Sequence, residues 1–157
     1  SLGNPMHRSG LALTGAQSTF DAWGKGGVTR SDNDGIVTAE EAALLDLQGT
    51  WLTTLSACST GSGQTQAGEG VLGLRRAFAQ AGTQNLLITL WPVSDDEKHT
   101  PDFMKAFYAE ALRTGDAPRA LAKTQRDMLM QMRKGRSLPS AVKYFAPFVL
   151  TFRGPLN

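Results

Sequence analysis

The chain has 157 residues, of which 41% are hydrophobic and 19% charged, and these values are typical of one soluble globular domain. No run approaches the ~20 apolar residues that a membrane span requires, and the N-terminus lacks the pattern of a secretory signal, so a cytoplasmic location is expected. Lys and Arg number 16 against 14 Asp and Glu, a formal charge of +2. Because the basic residues are scattered among acidic ones, no nucleic-acid partner is predicted.

Cysteine and histidine are scarce in this sequence. Cys58 is the single cysteine, and His7 and His99 are the two histidines. One cysteine cannot form an internal disulfide, and three such side chains are too few for a structural zinc site. Cys58 is therefore either a buried core residue or a reactive group.

The N-terminal third predicts few regular elements. Residues 10–14 favour a short strand, and the segment 14–35, rich in Gly, Ser, Asp and Asn, is interpreted as a surface loop. Thr38 followed by Glu41 forms the pattern of a capping box, in which each side chain accepts a hydrogen bond from a free amide at the other position. This pattern predicts a helix that begins after Thr38, runs through residues 40–45 and ends near Gly49.

Two apolar runs predict buried strands. Residues 51–57 are apolar and β-branched, and Cys58 follows at their carboxyl end. Residues 85–91 form the second run, which Pro92 ends. Open α/β sheets carry their chemistry at the carboxyl ends of their strands, so Cys58 stands where a reactive group is expected.

Three further helices and a last strand follow from spacing and capping residues. The first of these helices ends at Gly82, the second begins at Thr100-Pro101, and the third begins at Asp116. Residues 144–152 predict a strand that contains Pro147, which belongs at a sheet edge because it cannot donate to a ladder. Each helix has apolar residues at helical spacing. On the first these are Val71, Leu74, Phe78 and Ala81, and on the third they are Ala117, Leu121, Thr124, Met128 and Met132. The second helix has two adjacent stripes, Phe103, Phe107 and Ala111 beside Met104, Tyr108 and Leu112, and both stripes are expected to face the sheet.

The turn around Cys58 has two interpretations. Small residues in Leu55-Ser-Ala-Cys-Ser-Thr-Gly61 leave room for a substrate backbone beside the sulfur, and amides of the turn could form an oxyanion hole. Free cysteine is also among the most buried residue types. Position alone leaves a nucleophile and a structural thiol equally open.

Five motifs follow one another along the chain: Leu55-Ser-Ala-Cys-Ser-Thr-Gly61, Gly68-Glu-Gly-Val-Leu-Gly-Leu-Arg-Arg-Ala-Phe78, Ala81-Gly82, Leu90-Trp-Pro-Val-Ser-Asp95 and Phe107-Tyr108. In this order they resemble the C-terminal half of a CHAT domain, a module related to caspases, metacaspases and separases. The residues around Asn4-Pro5 and the segment 143–150 resemble the outer parts of the same domain. Two positions depart from the family: Ser59 stands where glutamate is frequent, and Phe145 where tryptophan is frequent.

The resemblance implies an α/β fold with a caspase-like layered sheet, mostly parallel, with helices on both faces, in one domain over residues 1–157. It implies a cysteine endopeptidase that cleaves protein or peptide substrates with Cys58 as nucleophile and needs no metal or organic cofactor. A catalytically inactive scaffold or regulatory protein-binding module is the alternative, because fold does not prescribe function. Nucleotide binding by Gly68-Glu-Gly-Val-Leu-Gly73 is disfavoured, since about ten residues separate it from the preceding strand.

The general base is the missing part of this site. The resemblance assigns it to the histidine of a His-Gly pair on a strand before Asn4-Pro5, and these residues contain no His-Gly pair. His7 falls at an ordinary loop position, and His99 is expected to be solvated. We therefore expect the histidine in a preceding segment or a second chain, in a protein that can also carry repeat domains. The isolated chain is expected to be inactive, and to aggregate or pair its open sheet edge with another chain.

A second candidate site residue follows the strand 85–91. In metacaspase-like relatives an aspartate after this strand lines the pocket for a basic side chain preceding the scissile bond. The resemblance assigns that position to Asp95, with Ser94 beside it, and a carboxylate suits guanidinium geometry. Acidic residues ahead of a helix also favour its dipole without any substrate, so both explanations stay open.

Overall fold

The computed structural model describes residues 9–27, 34–55, 67–90, 99–134, 142 and 144–153. These residues form five helices and two small sheets. They divide into two compact units. The first unit contains 9–27, 34–48 and 67–82, and the second contains 49–55 and the described residues from 83 onward.

A two-stranded antiparallel sheet begins the first unit. Strand β1 (Gly10–Ala12) pairs with β2 (Ile36–Thr38). The amide of Leu13 donates to the carbonyl of Gly35 at 2.7 Å, just beyond the paired residues. β1 confirms the strand predicted at residues 10–14. β2 was not predicted, because its three residues are too few to show a strand pattern.

A helix separates these two strands. Helix α1 (Ala16–Gly24) shows that the prediction of a surface loop over 14–35 is wrong for these residues. Thr19 explains the difference: it is 1% exposed, and its hydroxyl donates to the carbonyl of Asp34 at 2.7 Å. A tertiary hydrogen bond therefore holds a helix whose polar composition suggested a loop.

The predicted capping box begins helix α2 (Ala39–Ala43). The hydroxyl of Thr38 accepts from the amide of Glu41 at 3.2 Å, and the Glu41 carboxylate accepts from the Thr38 amide at 2.8 Å. The helix is shorter than predicted. It ends at Ala43, with Leu44 as its C-terminal cap, and the Leu44 side chain is 83% exposed.

Helix α3 (Ala67–Ala81) packs against α2. In the predicted stripe, Leu74, Phe78 and Ala81 are buried and Val71 is half-buried. The helix stops at Gly82, which has a φ of +110°. A Cβ there would lie 2.5 Å from Nε2 of Gln48, so both the backbone conformation and the close approach favour glycine.

The second unit contains a three-stranded sheet. Its order is β3 (Leu52–Leu55), β4 (Asn85–Thr89) and β5 (Phe148–Phe152), with β4 parallel to β3 and antiparallel to β5. β4 is buried at every residue, as predicted. β3 is only half-buried, which corrects the prediction of a buried strand there, because in the described sheet β3 pairs on one side alone.

Pro147 lies directly before β5 instead of inside it, because residues 144–145 are helical. Its carbonyl accepts a hydrogen bond from the amide of Leu90 at 3.0 Å. β5 stands at one end of the described sheet order. The last strand is therefore an outer strand, as predicted, but the prediction that it extends over 144–152 and contains Pro147 is wrong.

Helix α4 (His99–Thr114) supplies much of the core of this unit. Phe103, Phe107 and Ala111 are buried, as predicted. The second stripe is largely wrong: Tyr108 is 37% and Leu112 75% exposed, and only Met104 packs against the core. A helix against one layer buries a single stripe.

Helix α5 (Ala117–Arg133) begins as predicted at Asp116, whose carboxylate accepts from the amide of Arg119 at 2.9 Å. It packs against α4. Its predicted stripe is confirmed, with the first three residues buried and the two methionines partly buried against the core: Ala117, Leu121, Thr124, Met128 and Met132.

The fold class is mixed α and β, as predicted. The described residues form two small sheets, one of them mixed, with one parallel and two antiparallel strand pairs. This differs from the expected single, mostly parallel sheet. No helix in the described chain is both long and apolar enough to cross a membrane.

Candidate functional site

The candidate site is built from the carboxyl ends of β3 and β4. The two strands run parallel, with Leu52 opposite Asn85 and Leu55 opposite Ile88. Both strands therefore end side by side at one edge of the sheet. Side chains that follow the two strands can meet there, which is why this edge carries the chemistry of open α/β sheets.

Buried polar groups hold the opposite, amino ends of these strands in register. The hydroxyls of Thr53 and Thr83 lie 2.8 Å apart, and Thr83 also donates to the carbonyl of Asn85 at 3.1 Å. The Asn85 side-chain amide donates to the carbonyl of Trp51 at 2.8 Å. Because buried polar groups are costly unless paired, this network favours one alignment of β3 on β4.

An aromatic stack supports the carboxyl end of β4. Thr89, the last residue of β4, is 6% exposed and lies opposite Phe148. The ring of Phe148 stacks on Phe103 of α4 at a centroid distance of 4.3 Å, and Phe103 also stacks on Phe145 at 5.4 Å. The first turns of α4 therefore pack at the same edge of the sheet as the strand ends.

Cys58, Ser94, Asp95 and His7 lie outside the described residues. Cys58 is the third residue after Leu55 of β3. Covalent geometry limits a span of three residues to about 11 Å, whatever its conformation. The nucleophile predicted from sequence is therefore tied by a short tether to the strand end that adjoins β4.

His99 is the one histidine within the described ranges. It begins α4, is half-buried, and stacks on the ring of Tyr144 at a centroid distance of 4.8 Å. The expectation of a solvated side chain is thus wrong, because residues 45 positions apart in sequence pack together here. No local pattern in the sequence indicates this contact.

Gln125 is a second residue that sequence reasoning missed. Its side-chain amide nitrogen donates to the carbonyls of Phe145 and Phe148, at 2.9 Å each. The turn that leads into β5 is therefore fixed to α5 by both hydrogens of one NH2 group. The available signal was weak: a glutamine adjoining the apolar stripe of α5.

No cluster of three or more His, Cys, Asp or Glu residues suited to a metal ion is found in the part of the chain that the structure describes. The described site consists of strand ends, a hydroxyl and aromatic rings.

The fold and the site together indicate an α/β protein whose candidate site lies at the carboxyl ends of two parallel strands, β3 and β4. The chain belongs to the CHAT domain family, whose model matches residues 1–153, and this family is related to the caspase-like peptidases. The resemblance found in the sequence is thereby confirmed. No curated protein and no solved structure matches the chain.

Proposed function

We propose that this chain is the cysteine-bearing part of a caspase-like cysteine endopeptidase, with Cys58 as the nucleophile. The observation that carries the proposal is the parallel pairing of β3 and β4 in a member of the CHAT family. This pairing supports the proposal because β3 ends at Leu55, at the sheet edge where such folds hold their reactive groups, and Cys58 is the third residue after it. The proposal includes the caspase-like layering of one domain over residues 1–157.

In the proposed reaction the Cys58 thiolate attacks the carbonyl carbon of a peptide bond, and a carbon–sulfur bond forms. The carbon–nitrogen bond then breaks, and an imidazolium gives its proton to the leaving amine. The imidazole then takes a proton from water, the resulting hydroxide attacks the thioester carbon, and the carbon–sulfur bond breaks. The acid is released, and the starting thiolate and imidazolium are restored. Backbone amides of the turn after β3 would stabilise the oxyanion.

The general base in this proposal is a histidine outside the 157 residues. Neither His7 nor His99 is followed by glycine, whereas the family resemblance assigns the base to a His-Gly pair. His99 already stacks on Tyr144. The proposed partners are therefore a protein or peptide substrate and the segment or chain that carries the His-Gly pair.

The experiment uses the full-length protein and a peptidyl acyloxymethyl ketone, an electrophile that reacts rapidly only with an activated thiol. We expect labelling at Cys58, located by peptide mapping, and turnover of a matching peptide amide. Cys58→Ala should lower turnover by about a thousandfold or more, because it removes the nucleophile. Met130→Ala is the matched control, since it truncates another sulfur-bearing side chain that is 57% exposed.

Two results would contradict the proposal. One is undiminished turnover by Cys58→Ala. The other is a full-length protein that contains the His-Gly segment but turns over no peptide, and whose Cys58 reacts with the peptidyl electrophile no faster than the thiol of an unfolded chain. The second result would favour a caspase-like scaffold that binds proteins without cleaving them.

We further propose that Asp95, with Ser94 beside it, lines the pocket for a Lys or Arg side chain preceding the scissile bond. Asp95→Asn should then lower kcat/KM for such substrates roughly a hundredfold, which corresponds to a loss of a few kcal/mol of transition-state binding. Asp96→Asn removes the neighbouring carboxylate and should change kcat/KM little. If both variants behave alike, or if acidic residues are preferred at that substrate position, the pocket assignment is wrong.

A further inference from the structure

A basic cleft lies between the end of α4 and the first half of α5. Its volume is about 490 Å3. Seven residues line it, of which four are cationic and one is anionic: Glu110, Arg113, Thr114, Arg119, Ala122, Lys123 and Arg126. The lining thus carries a formal charge of +3 (four minus one), against +2 for the whole chain.

Two carboxylates neutralise part of this charge. Glu110 accepts from both Nη2 and Nε of Arg113, at 2.6 and 3.1 Å. Asp127, at the border of the cleft, accepts from Nζ of Lys123 at 2.6 Å. The bonded cations hold the pKa of both carboxyl groups below its usual range, so both are ionised at neutral pH.

Arg119 and Arg126 keep most of their binding capacity. Among the described residues, Arg119 takes part in no ion pair of this region. Nε of Arg126 lies 3.7 Å from Oδ1 of Asp127, whose Oδ2 already accepts from Lys123. The Arg126 side chain is 63% exposed. A guanidinium presents a fork of donors that matches a carboxylate. Two such forks in one cleft favour an anionic ligand.

The three cations of α5 share one face. Arg119, Lys123 and Arg126 lie at positions i, i+4 and i+7, which a helix stacks along about 10.5 Å of one side. An extended peptide places alternate side chains on one face at about 6.7 Å intervals. Three acidic residues at alternate positions would span about 13 Å, close enough to this row for the long Arg and Lys side chains to reach them.

A second, smaller cleft of about 270 Å3 continues the first along the seam between α4 and α5. The two share Glu110, Arg113 and Lys123. The smaller cleft is lined in part by apolar groups of Ala106, Ala109 and Met128, among them a methionine, which adapts readily to a partner's shape. The two clefts form one groove, which we call the α4–α5 groove, with a basic and a less polar half.

We propose that the α4–α5 groove binds an acidic segment of a partner protein. In the bound segment, alternating acidic side chains lie against Arg119, Lys123 and Arg126, and a following apolar side chain lies against Ala109 and Met128. This site goes beyond the proposed peptidase and does not depend on Cys58.

The groove suits a peptide better than a nucleic acid. Glu110 and Asp127 stand among its cations and would repel a continuous run of phosphates. The cationic row is about 10.5 Å long, whereas nucleic-acid binding needs a basic track along many phosphates. A less polar half at one end has no counterpart in a phosphate backbone.

The test uses the full chain and a fluorescein-labelled nonapeptide with Glu at positions 3, 5 and 7, Leu at position 9, and Gly or Ser elsewhere. Fluorescence anisotropy at about 0.1 M salt should show that the acidic peptide binds. A peptide with Gln in place of the three Glu should bind roughly tenfold more weakly or worse. The double change Arg119→Gln with Arg126→Gln should weaken binding of the acidic peptide roughly tenfold or more, because it removes the two available forks.

The matched control removes two exposed positive charges outside the groove, Lys105→Gln with Arg133→Gln, and should change affinity less than about twofold. Glu110→Gln should strengthen binding, because it removes a repelling carboxylate and releases Arg113. Circular dichroism establishes that each variant is folded.

The proposal is overturned if the acidic and the Gln peptides bind alike, if the two double variants lose equal affinity, or if folded Glu110→Gln binds more weakly. It is also overturned if a labelled 20-nucleotide single strand binds as tightly as the peptide and is lost in the Arg119→Gln, Arg126→Gln variant. That last outcome would assign the groove to nucleic acid.

Discussion

The two compact units are packed by different kinds of side chain. In the first unit, six of the eight buried hydrophobic residues in the described ranges are alanines: Ala16, Ala39, Ala42, Ala43, Ala77 and Ala81, beside Leu74 and Phe78. In the second, four phenylalanines occupy the core: Phe103, Phe107, Phe145 and Phe148. A buried phenylalanine removes far more apolar area from water than an alanine does.

The difference indicates how each unit is stabilised. Alanines let backbones approach closely, and in the first unit backbone bonds join separate elements: Ala39 donates to Ser9 at 2.7 Å, and Leu47 to Ala81 at 2.9 Å. In the second unit, stacked rings of Phe103, Phe145 and Phe148 form one core cluster with Leu87 of β4. Large apolar truncations should therefore affect the second unit most, and changes of backbone conformation or capping should affect the first.

The largest effect is expected from Phe103→Ala. Phe103 is fully buried and stacks on two rings, so its truncation should lower the free energy of unfolding by about 3–5 kcal/mol. Leu112→Ala, on the same helix at 75% exposure, should cost less than about 0.5 kcal/mol. Urea unfolding followed by tryptophan fluorescence measures both. Equal losses would show that the aromatic stack is not the main source of stability in this unit.

A smaller loss is expected from Gly35→Ala in the first unit. Gly35 has a φ of +73°, and an added Cβ would overlap the backbone of Gly15 and Ala16. Gly26 has the same φ with open space around it, so Gly26→Ala measures the cost of conformation alone, about 1–2 kcal/mol. Gly35→Ala should exceed it in the same unfolding assay. If the two cost the same, close backbone packing contributes little here.

The smallest effect is expected from Thr38→Ala. Thr38 caps α2 through its hydroxyl, and losing such a cap costs about 1 kcal/mol. Thr38→Ser keeps the oxygen and should retain most of the stability. Hydrogen exchange of the Glu41 amide reports the change locally, and unaltered protection in Thr38→Ala would show that the capping box adds nothing to this helix.

Features set by neighbouring residues could be predicted from the sequence. The capping box at Thr38 and the cap at Asp116 depend on contacts within a few residues, and the stop at Gly82 on a local backbone conformation that favours glycine. All three are confirmed. The stripe of Phe103, Phe107 and Ala111 also follows from helical periodicity. The motifs around Cys58 identified the family in the same way, because they are read along the chain.

Other features depended on which elements meet. Helix α1 is held by a bond between Thr19 and Asp34, and β3 is half-buried because of its place in the sheet order. The candidate site was predictable as a strand end, but its supports, the His99–Tyr144 stack and the two bonds of Gln125, join distant parts of the chain. Periodicity carries no information about such partners.

By itself, the sequence determined the helix boundaries at Thr38, Gly82 and Asp116, the central strand β4, the core-facing stripes of α4 and α5, and the membership of the CHAT family. The tertiary structure alone decided that Arg113 of α4 lies in one groove with Arg119, Lys123 and Arg126 of α5. Helical spacing already places the three α5 cations on one face. The physical reason is that periodicity acts within one helix, whereas the packing of one helix against another depends on contacts between elements.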